Sequence, residues 1–295
     1  MSNYILSACS PADISAEHFE KINVKCLYFN YRLGDKDYID DLGKTISYKD
    51  FYQAMRDGAD TKTSLISIDV YADYFRSVLK EGKDLIHVSL SSGLSGSYNS
   101  ARLAAEDVRA EFPDRKLYVV DSLAASSGFG LLVDAMAELR DQGMSIDDLY
   151  NWANENKLKL HHWFFSTDLT FFVKGGRISK AAGWFGTVLK ICPLLNVDVN
   201  GRLVPREKIR GKANVIKAIF NKMVENADNG TEYNGKCFIS HSDSYEDAKA
   251  VADLVEEAFP KLNGKVLINN IGSTIGAHTG PGTVALFFFG TERNN

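Results

Sequence analysis

The fold is decided by residues 84–101, which run DLIHVSLSSGLSGSYNSA. The apolar stretch Leu85–Leu90 is typical of a buried strand, and Ser91–Ser97 is a loop rich in serine and glycine. Over 97–112 apolar residues then recur at steps of three and four, namely Tyr98, Ala101, Ala105, Val108 and Phe112. This spacing predicts one face of an amphipathic helix. A strand, a glycine-rich loop and a helix in direct succession predict an α/β protein.

The same alternation extends outward on both sides of this stretch. Strands are predicted at Tyr4–Ala8, Lys25–Asn30 and Leu117–Val120, and helices near 15–22, 47–57, 69–81 and 129–141. We therefore expect residues 1–158 to form an N-terminal domain with a mostly parallel sheet flanked by helices.

The second half has a different pattern. Asn200-Gly201 lies between two β-rich segments and predicts a hairpin, because both residues accept positive φ. Other strands are predicted at His161–Ser166, 236–240, 265–270 and 283–289, with helices at 211–226 and 244–258. Residues 159–295 are therefore predicted to form a C-terminal mixed α+β domain.

Composition excludes several classes of function. The net charge is −4 and no block of lysine or arginine occurs, so nucleic acid is not an expected partner. No apolar run approaches the ~20 residues of a spanning helix, so stable membrane insertion is not expected. The four cysteines form no C-x-x-C pair, and no signal peptide is visible at the N-terminus. These features predict reduced thiols, no metal site and a cytoplasmic location.

Four segments have the residue types of a binding site. The Ser91–Ser97 loop lies between a strand end and a helix start, where free N–H groups favour an anion. Thr63–Ser67 precedes a predicted helix, Lys174–Ile178 places Arg177 beside two glycines, and Gly276–Gly282 surrounds His278 with glycine and proline. The Ser91–Ser97 loop lacks the nucleophile-elbow spacing, and no P-loop occurs in the chain. Helix caps, turns and solvent-exposed loops remain the alternative interpretation of each segment.

Taken together, these segments resemble the DegV family. The resemblance covers SSGLSGSYNSA at 91–101, Val120-Asp121-Ser122, Lys174–Ile178, Leu189–Leu194, Arg210-Gly211-Lys212 and Gly276–Gly282, in the family's order. It implies a two-domain α/β protein that encloses a fatty acid in a tunnel between the domains. It also implies a binding subunit without catalytic residues or cofactor. This subunit presents the carboxyl group to a fatty-acid kinase for acyl-phosphate formation, which feeds phospholipid synthesis.

The resemblance also implies roles for individual residues. Thr63, Ser64, Ser95, Gly96, His278 and Thr279 correspond to the carboxylate-binding positions, and Arg177 with His278 to the kinase-facing positions. The acyl tunnel is expected to be lined by Phe171, Phe172, Trp184, Phe185, Val188, Leu189 and Ile191. Two segments depart from the family pattern: Ser7–Pro11 lacks the aspartate after the first strand, and Thr63–Ile66 lacks the proline of T-S-x-P.

The expected ligand is one long-chain fatty acid of roughly C14–C18, which gains about 0.8 kcal/mol per buried methylene. The expected state is a monomer that docks a kinase. Two alternatives stay open at this point. One is an acyl- or phosphoryl-transfer enzyme that uses Ser95, Arg177 and His278. The other is a regulator that senses a lipid and acts through a protein partner.

Overall fold

The structure is a computed structural model that describes residues 4–179 and 191–294. Its first half contains a parallel four-stranded sheet of order β2-β1-β6-β7. The strands are β1 (Tyr4–Cys9), β2 (Lys25–Leu27), β6 (Asp84–Ser89) and β7 (Leu117–Asp121). The predicted parallel sheet is confirmed, although the second predicted strand ends at Leu27 instead of Asn30.

In the described part of the first half, six α-helices accompany these strands. They are α1 (Ala16–Lys21), α2 (Tyr48–Arg56), α3 (Ile68–Lys80), α4 (Ser97–Glu111), α5 (Ser126–Asp141) and α6 (Ile146–Asn156). A serine side chain accepts the capping hydrogen bond at the start of four of them, and these serines are Ser15, Ser47, Ser67 and Ser145. The predicted helix near 129–141 begins earlier, at Ser126, so Gly128 lies inside it.

The first half also contains an antiparallel three-stranded sheet that the sequence pattern did not predict. Its order is β4-β3-β5, formed by β3 (Asn30–Leu33), β4 (Lys36–Ile39) and β5 (Thr61–Ser64). A turn was the alternative interpretation of the segment at Thr63, and the structure instead places Thr63 and Ser64 at the end of β5. Each strand has only four residues and is mostly polar, so tertiary packing of Tyr31 on Phe51 stabilises the sheet more than strand propensity does.

The second half forms a mixed sheet of order β10-β9-β8-β13-β11-β12. The strands are β8 (Leu160–Ser166), β9 (Ile191–Val197), β10 (Leu203–Arg210), β11 (Phe238–His241), β12 (Leu267–Asn270) and β13 (Thr283–Phe289). Strands β9 and β10 form the hairpin predicted at Asn200-Gly201. The helices are α7 (Thr170–Lys174), α8 (Lys212–Asn226), α9 (Tyr245–Ala258) and α10 (Ser273–Thr279). The α/β fold class is thereby confirmed.

Helix α5 joins the two halves. Twelve of its sixteen residues are buried, because it packs on the elements of the first half and also against β8, β11 and β13. The largest apolar cluster therefore contains residues of both halves, including Leu6, Phe129 and Phe287. A second cluster lies between the mixed sheet and helices α8 and α9. The division of the chain at residue 158 stays a prediction.

Candidate lipid-binding site

A cavity lies between the Ser91–Ser97 loop, α5, α10 and one face of the mixed sheet. Its empty volume is about 760 Å³, the open mouth included. The walls are mostly apolar, formed by Phe29, Leu90, Leu94, Ala125, Phe164, Phe172, Val197, Leu203, Ile271, Ile275, Ala285 and Phe287. The polar side chains that reach the wall are Thr63, Ser95, Ser126, His162, Arg177, Thr274, His278, Thr279 and Thr283. An apolar wall with a few polar side chains is typical of a small-molecule site.

The register of two strands determines which sheet residues face the cavity. Strands β8 and β13 are antiparallel, with the pairs Ser166–Thr283, Phe164–Ala285 and His162–Phe287 in every second row. Side chains alternate between the two faces of a strand, so these pairs share one face. That face is the cavity wall, while Phe165 and Phe288 point into the second apolar cluster.

The glycine-serine loop holds its shape mainly through contacts with itself and with the β9–β10 turn. Ser91 Oγ donates to the carbonyl of Gly201 at 2.8 Å, and the Ser95 N–H donates to the Ser91 carbonyl. A Cβ on Gly93 would lie 2.4 Å from the Asn200 carbonyl oxygen. Glycine at position 93 therefore lets the loop backbone lie close to the backbone of the β9–β10 turn. Of this loop, only Leu94 and Ser95 line the cavity.

Three polar residues form the entrance, which we call the mouth cluster: Thr63, Arg177 and His278. Thr63 Oγ1 lies 2.8 Å from His278 Nε2, and Arg177 Nη2 donates to the Leu94 carbonyl at 3.3 Å. The same three residues also line a surface pocket beside Lys62 and Lys174. The mouth cluster is thus the boundary between the apolar cavity and a polar cleft on the surface.

Charge at the mouth comes from Arg177. Burial, with the neighbouring Arg177 charge acting in the same direction, lowers the pKa of His278 to about 4. His278 is therefore neutral near pH 7 in this arrangement. Burial also lowers the Arg177 pKa, but from so high a value that the guanidinium keeps its charge. Together with the Ser95 hydroxyl, the mouth cluster can bind a carboxylate through one cation, two hydroxyls and an imidazole.

His278 does not lie in a turn, as its glycine-rich neighbourhood predicted, but in the last turn of α10. The Asp40 carboxylate accepts hydrogen bonds from the Thr274 N–H and hydroxyl and so stabilises the start of this short helix. Gly280 and Gly282, both at positive φ, end it. The capping carboxylate belongs to Asp40, the residue directly after β4, which is far from α10 in sequence. Local composition therefore did not reveal the helix.

Glycine is required where the Lys174–Ile178 segment meets α10. A Cβ on Gly175 would lie 2.4 Å from His278 Nδ1. Gly176 has φ +72°, and Arg177 Nη1 donates back to the Gly175 carbonyl at 2.5 Å. The two glycines therefore turn the chain after α7 and place Arg177 at the mouth.

The other predicted site residues divide into three groups. Ser95, Thr279 and Phe172 line the cavity, together with the mouth cluster. Ser64 and Gly96 are exposed, Phe171 packs on Gly280 in a smaller cluster, and Ile191 is half-buried at the start of β9, so the described wall includes none of these four. Trp184, Phe185, Val188 and Leu189 lie outside the described residues.

Two buried carboxyl groups behind the cavity wall were not assigned a role from the sequence. Asp13 Oδ2 accepts from Ser126 Oγ at 2.5 Å, and Asp40 Oδ2 accepts from Thr274 Oγ1 at 2.6 Å. Burial raises the pKa of both carboxyl groups. The sequence could have pointed to Asp13, because it is the first acidic residue after β1. Only the fold shows that Asp13 contacts the start of α5.

Two further findings concern the described part of the chain. Within residues 4–179 and 191–294, no helix has the length and apolar character needed to cross a bilayer. In the same ranges, no three His, Cys, Asp or Glu side chains converge in a way that could hold a metal ion.

The fold and site define a class: α/β proteins in which a mixed and a parallel sheet enclose an apolar cavity with a polar mouth. The sequence profile described as "Uncharacterised protein, DegV family" matches residues 9–291. A DegV domain-containing protein of Clostridium perfringens is 34% identical over 293 residues, which is 99% of each chain. The chain belongs to the DegV family.

Solved structures share this fold. A DegV family protein of Thermus thermophilus, described for its fatty acid binding, superposes with a TM-score of 0.86 and 27% identity over 98% of this chain and 100% of that one. The fatty acid kinase (Fak) B3 protein of Streptococcus pneumoniae, loaded with linoleic acid, has a TM-score of 0.83 over 98% and 99% of the two chains. Its identity is 22%, so this second likeness concerns the fold alone.

Proposed function

We propose that this protein binds one long-chain fatty acid, with the acyl chain in the cavity and the carboxyl group at the mouth cluster. The observation that carries the proposal is the position of Thr63, Arg177 and His278, which line both the apolar cavity and the polar surface pocket. A ligand that fits both surroundings has a long apolar part and one anionic end. The Thermus thermophilus relative, described for fatty acid binding, supports the same ligand class.

Burial of the chain supplies the affinity. Each methylene that leaves water contributes about 0.8 kcal/mol, so burial of a long acyl chain stabilises the complex by more than the loss of the acyl chain's rotational freedom costs. The carboxylate contributes less, because its desolvation offsets most of the hydrogen-bond energy. The carboxylate sets the orientation of the ligand, because Arg177 and the Thr63 and Ser95 hydroxyls can form hydrogen bonds to it at the mouth.

We further propose that the chain presents this carboxyl group to a fatty-acid kinase and has no catalytic residues of its own. Support comes from the surface pocket, where the mouth cluster lies beside Lys62 and Lys174. Lys174 is paired with Asp60, so the positive charge at this entrance comes from Lys62 and Arg177, and it suits a nucleotide phosphate carried by a partner. A monomeric state and a cytoplasmic location belong to the same proposal.

The first test is native mass spectrometry of the purified full chain, followed by lipid analysis after denaturation. We expect a mass excess of one fatty acid. Ser95→Ala should retain about tenfold less lipid, since a hydrogen bond to a charged group contributes about 1.5–3 kcal/mol. Arg177→Ala should retain more lipid than Ser95→Ala does, because Arg177 also contacts protein carbonyls.

Ser64→Ala is the matched control, because its hydroxyl is adjacent in sequence to Thr63 but exposed. Equal lipid retention by Ser95→Ala and the parent would contradict the carboxylate assignment. An apo mass that takes up no added fatty acid would refute binding itself. Turnover of acyl phosphates or esters by the purified chain would instead support the transferase alternative.

The kinase proposal needs a separate assay. Lipid-loaded protein is mixed with a purified bacterial fatty-acid kinase and ATP, and acyl phosphate is trapped with hydroxylamine. We expect Arg177→Ala to lower product formation at equal lipid loading. No product from the loaded parent protein with kinases of several bacteria would count against presentation and leave lipid binding intact.

A further inference from the structure

Ser95, which lines the cavity, has one bonding direction free for a ligand. Its Oγ accepts a hydrogen bond from the Ser97 N–H at 3.2 Å. A hydroxyl has one hydrogen and two lone pairs, so this bond uses a lone pair and leaves the hydrogen available. Within residues 4–179 and 191–294, no other group accepts that hydrogen. A carboxylate oxygen can only accept, so the free hydrogen of Ser95 is the group that a bound carboxylate requires.

The Ser97 N–H is held in place through the Ser97 side chain. Ser97 is the first residue of α4, and Gly96 before it provides no side-chain cap. The Ser97 side chain is buried, and its Oγ lies 2.7 Å from the Tyr71 hydroxyl oxygen of α3. Among the residues that the structure describes, this is the one side-chain hydrogen bond between Ser95–Ser97 and another element. The Tyr71 hydroxyl therefore anchors the end of the loop that carries Ser95.

Tyr71 is itself held by a network of buried side chains from β1 and β6. The Ser7–Pro11 segment, which departs from the family pattern, contributes Cys9, whose Sγ lies 3.4 Å from the Tyr71 hydroxyl. Cys9 Sγ also lies 3.5 Å from His87 Nε2, and Ser7 Oγ lies 2.8 Å from His87 Nδ1. All four side chains are fully buried. The network thus connects two strands of the parallel sheet to the Tyr71 hydroxyl.

The network consists of neutral groups that do not touch the ligand cavity. Burial raises the pKa of the Cys9 thiol to about 12 and lowers the pKa of His87 to about 3. Near pH 7 the thiol is therefore not a nucleophile, and the imidazole carries no charge. Neither residue, nor Tyr71, belongs to the described cavity wall. What these side chains can provide is position.

We propose that Tyr71 is a positioning residue for carboxylate binding: it holds Ser97, whose N–H fixes the rotamer in which the Ser95 hydroxyl donates to the carboxylate of a fatty acid. This inference rests on the proposed function and deepens it. Without the Tyr71 hydroxyl, Ser97 Oγ loses its partner outside the loop, and the Ser97 N–H holds Ser95 less firmly. Contacts with the acyl chain do not depend on this anchor.

The size of the effect follows from the rotamers of Ser95. A serine side chain has three staggered χ1 positions, and the bond from the Ser97 N–H selects one of them. When all three are populated about equally, about one third of the molecules have the binding rotamer. The apparent affinity for a carboxylate then falls about threefold, because it is reduced by the fraction of molecules that can bind.

The test is a double-mutant cycle on the delipidated full chain, with the parent, Tyr71→Phe, Ser95→Ala and the double variant. Affinity for palmitic acid is measured by competition against a fluorescent fatty acid whose own affinity is determined for each protein. We expect Tyr71→Phe to bind palmitic acid about threefold more weakly than the parent does. In the Ser95→Ala background, the same substitution should change the affinity by less than about 1.5-fold, because the hydroxyl that Tyr71 positions is already absent.

Tyr74→Phe is the matched control, because Tyr74 lies on the same helix and, among the described residues, no hydrogen bond joins its hydroxyl to the Ser91–Ser97 loop. A purely structural role of Tyr71 would lower the affinity by the same factor in both backgrounds, and that result would overturn the inference. Binding of palmitic acid by Tyr71→Phe as tight as by Tyr74→Phe would also overturn it.

A second variant covers the case in which Tyr71→Phe does not fold. Ser97→Ala removes the same hydrogen bond from the other side and keeps the backbone N–H. It should weaken palmitic acid binding about threefold in the parent and leave it unchanged in Ser95→Ala. An equal loss in both backgrounds would count against the positioning role while lipid binding stands. A parent protein that takes up no palmitic acid would instead refute the proposed function and this inference with it.

Discussion

Gly128 is the position where one added methyl group should disturb the cavity most directly. A Cβ built there lies 2.4 Å from His162 Nε2 and 2.5 Å from Phe287 Cδ1. Ordinary contact begins at 3.4 Å, so both rings must move by about 1 Å. Overpacking of this kind costs about 1–3 kcal/mol, and the gain in helix propensity from Gly to Ala offsets only about 1 kcal/mol. Gly128→Ala should therefore lower the free energy of unfolding by up to roughly 2 kcal/mol.

The assay is urea unfolding of delipidated protein followed by circular dichroism, with the same measurement on His162→Ala and on the double variant. Because His162 and Phe287 are the groups that collide, removal of the His162 ring should relieve part of the cost. The double variant should therefore be more stable than the sum of the single effects by about 0.5–1 kcal/mol. Native mass spectrometry should also show reduced lipid retention by Gly128→Ala, since both displaced rings line the cavity. A Gly128→Ala protein that is more stable than the parent would refute the reasoning, because helix propensity alone would then account for the change.

Three further predictions concern the mouth and the loop. Thr63→Val should lower stability by about 1 kcal/mol in thermal unfolding, because His278 Nε2 loses its hydrogen-bond partner. The control Ser64→Val should change stability by less than about 0.5 kcal/mol. Between pH 6.5 and about 4, His278 binds a proton in the unfolded chain but not in the folded protein. As the pH falls through this range, the free energy of unfolding of the parent, measured by urea titration, should therefore drop by up to about 1.4 kcal/mol per pH unit more than that of His278→Gln. An equal drop in both proteins would contradict the neutral imidazole. Gly93→Ala should separate the Ser91–Ser97 loop from the β9–β10 turn, because two backbone carbonyls lie within 2.8 Å of the new Cβ, and faster limited proteolysis at 91–97 and 198–202 would report it.

The local elements could be predicted where the pattern is local. Strand β6, the loop after it and helix α4 follow from 84–112, because apolar spacing and a glycine-rich boundary are properties of neighbouring residues. The same holds for the Asn200-Gly201 hairpin and for α8 and α9. Pattern failed at β3–β5, whose strands are short and polar, and at α10, whose cap is the distant carboxylate of Asp40.

What the sequence determined by itself is the α/β class, the order of its segments and the candidates Thr63, Ser95, Arg177 and His278. What only the tertiary structure decided is which of their side chains meet and what faces the cavity. Thr63 and Ser64 are neighbours with the same chemistry, yet strand alternation directs one to His278 and exposes the other. Nothing local shows that His162, inside β8, lines an apolar cavity and packs against Phe287 of β13 and Gly128 of α5. Contacts between residues more than a hundred positions apart depend on packing, and no local pattern contains them.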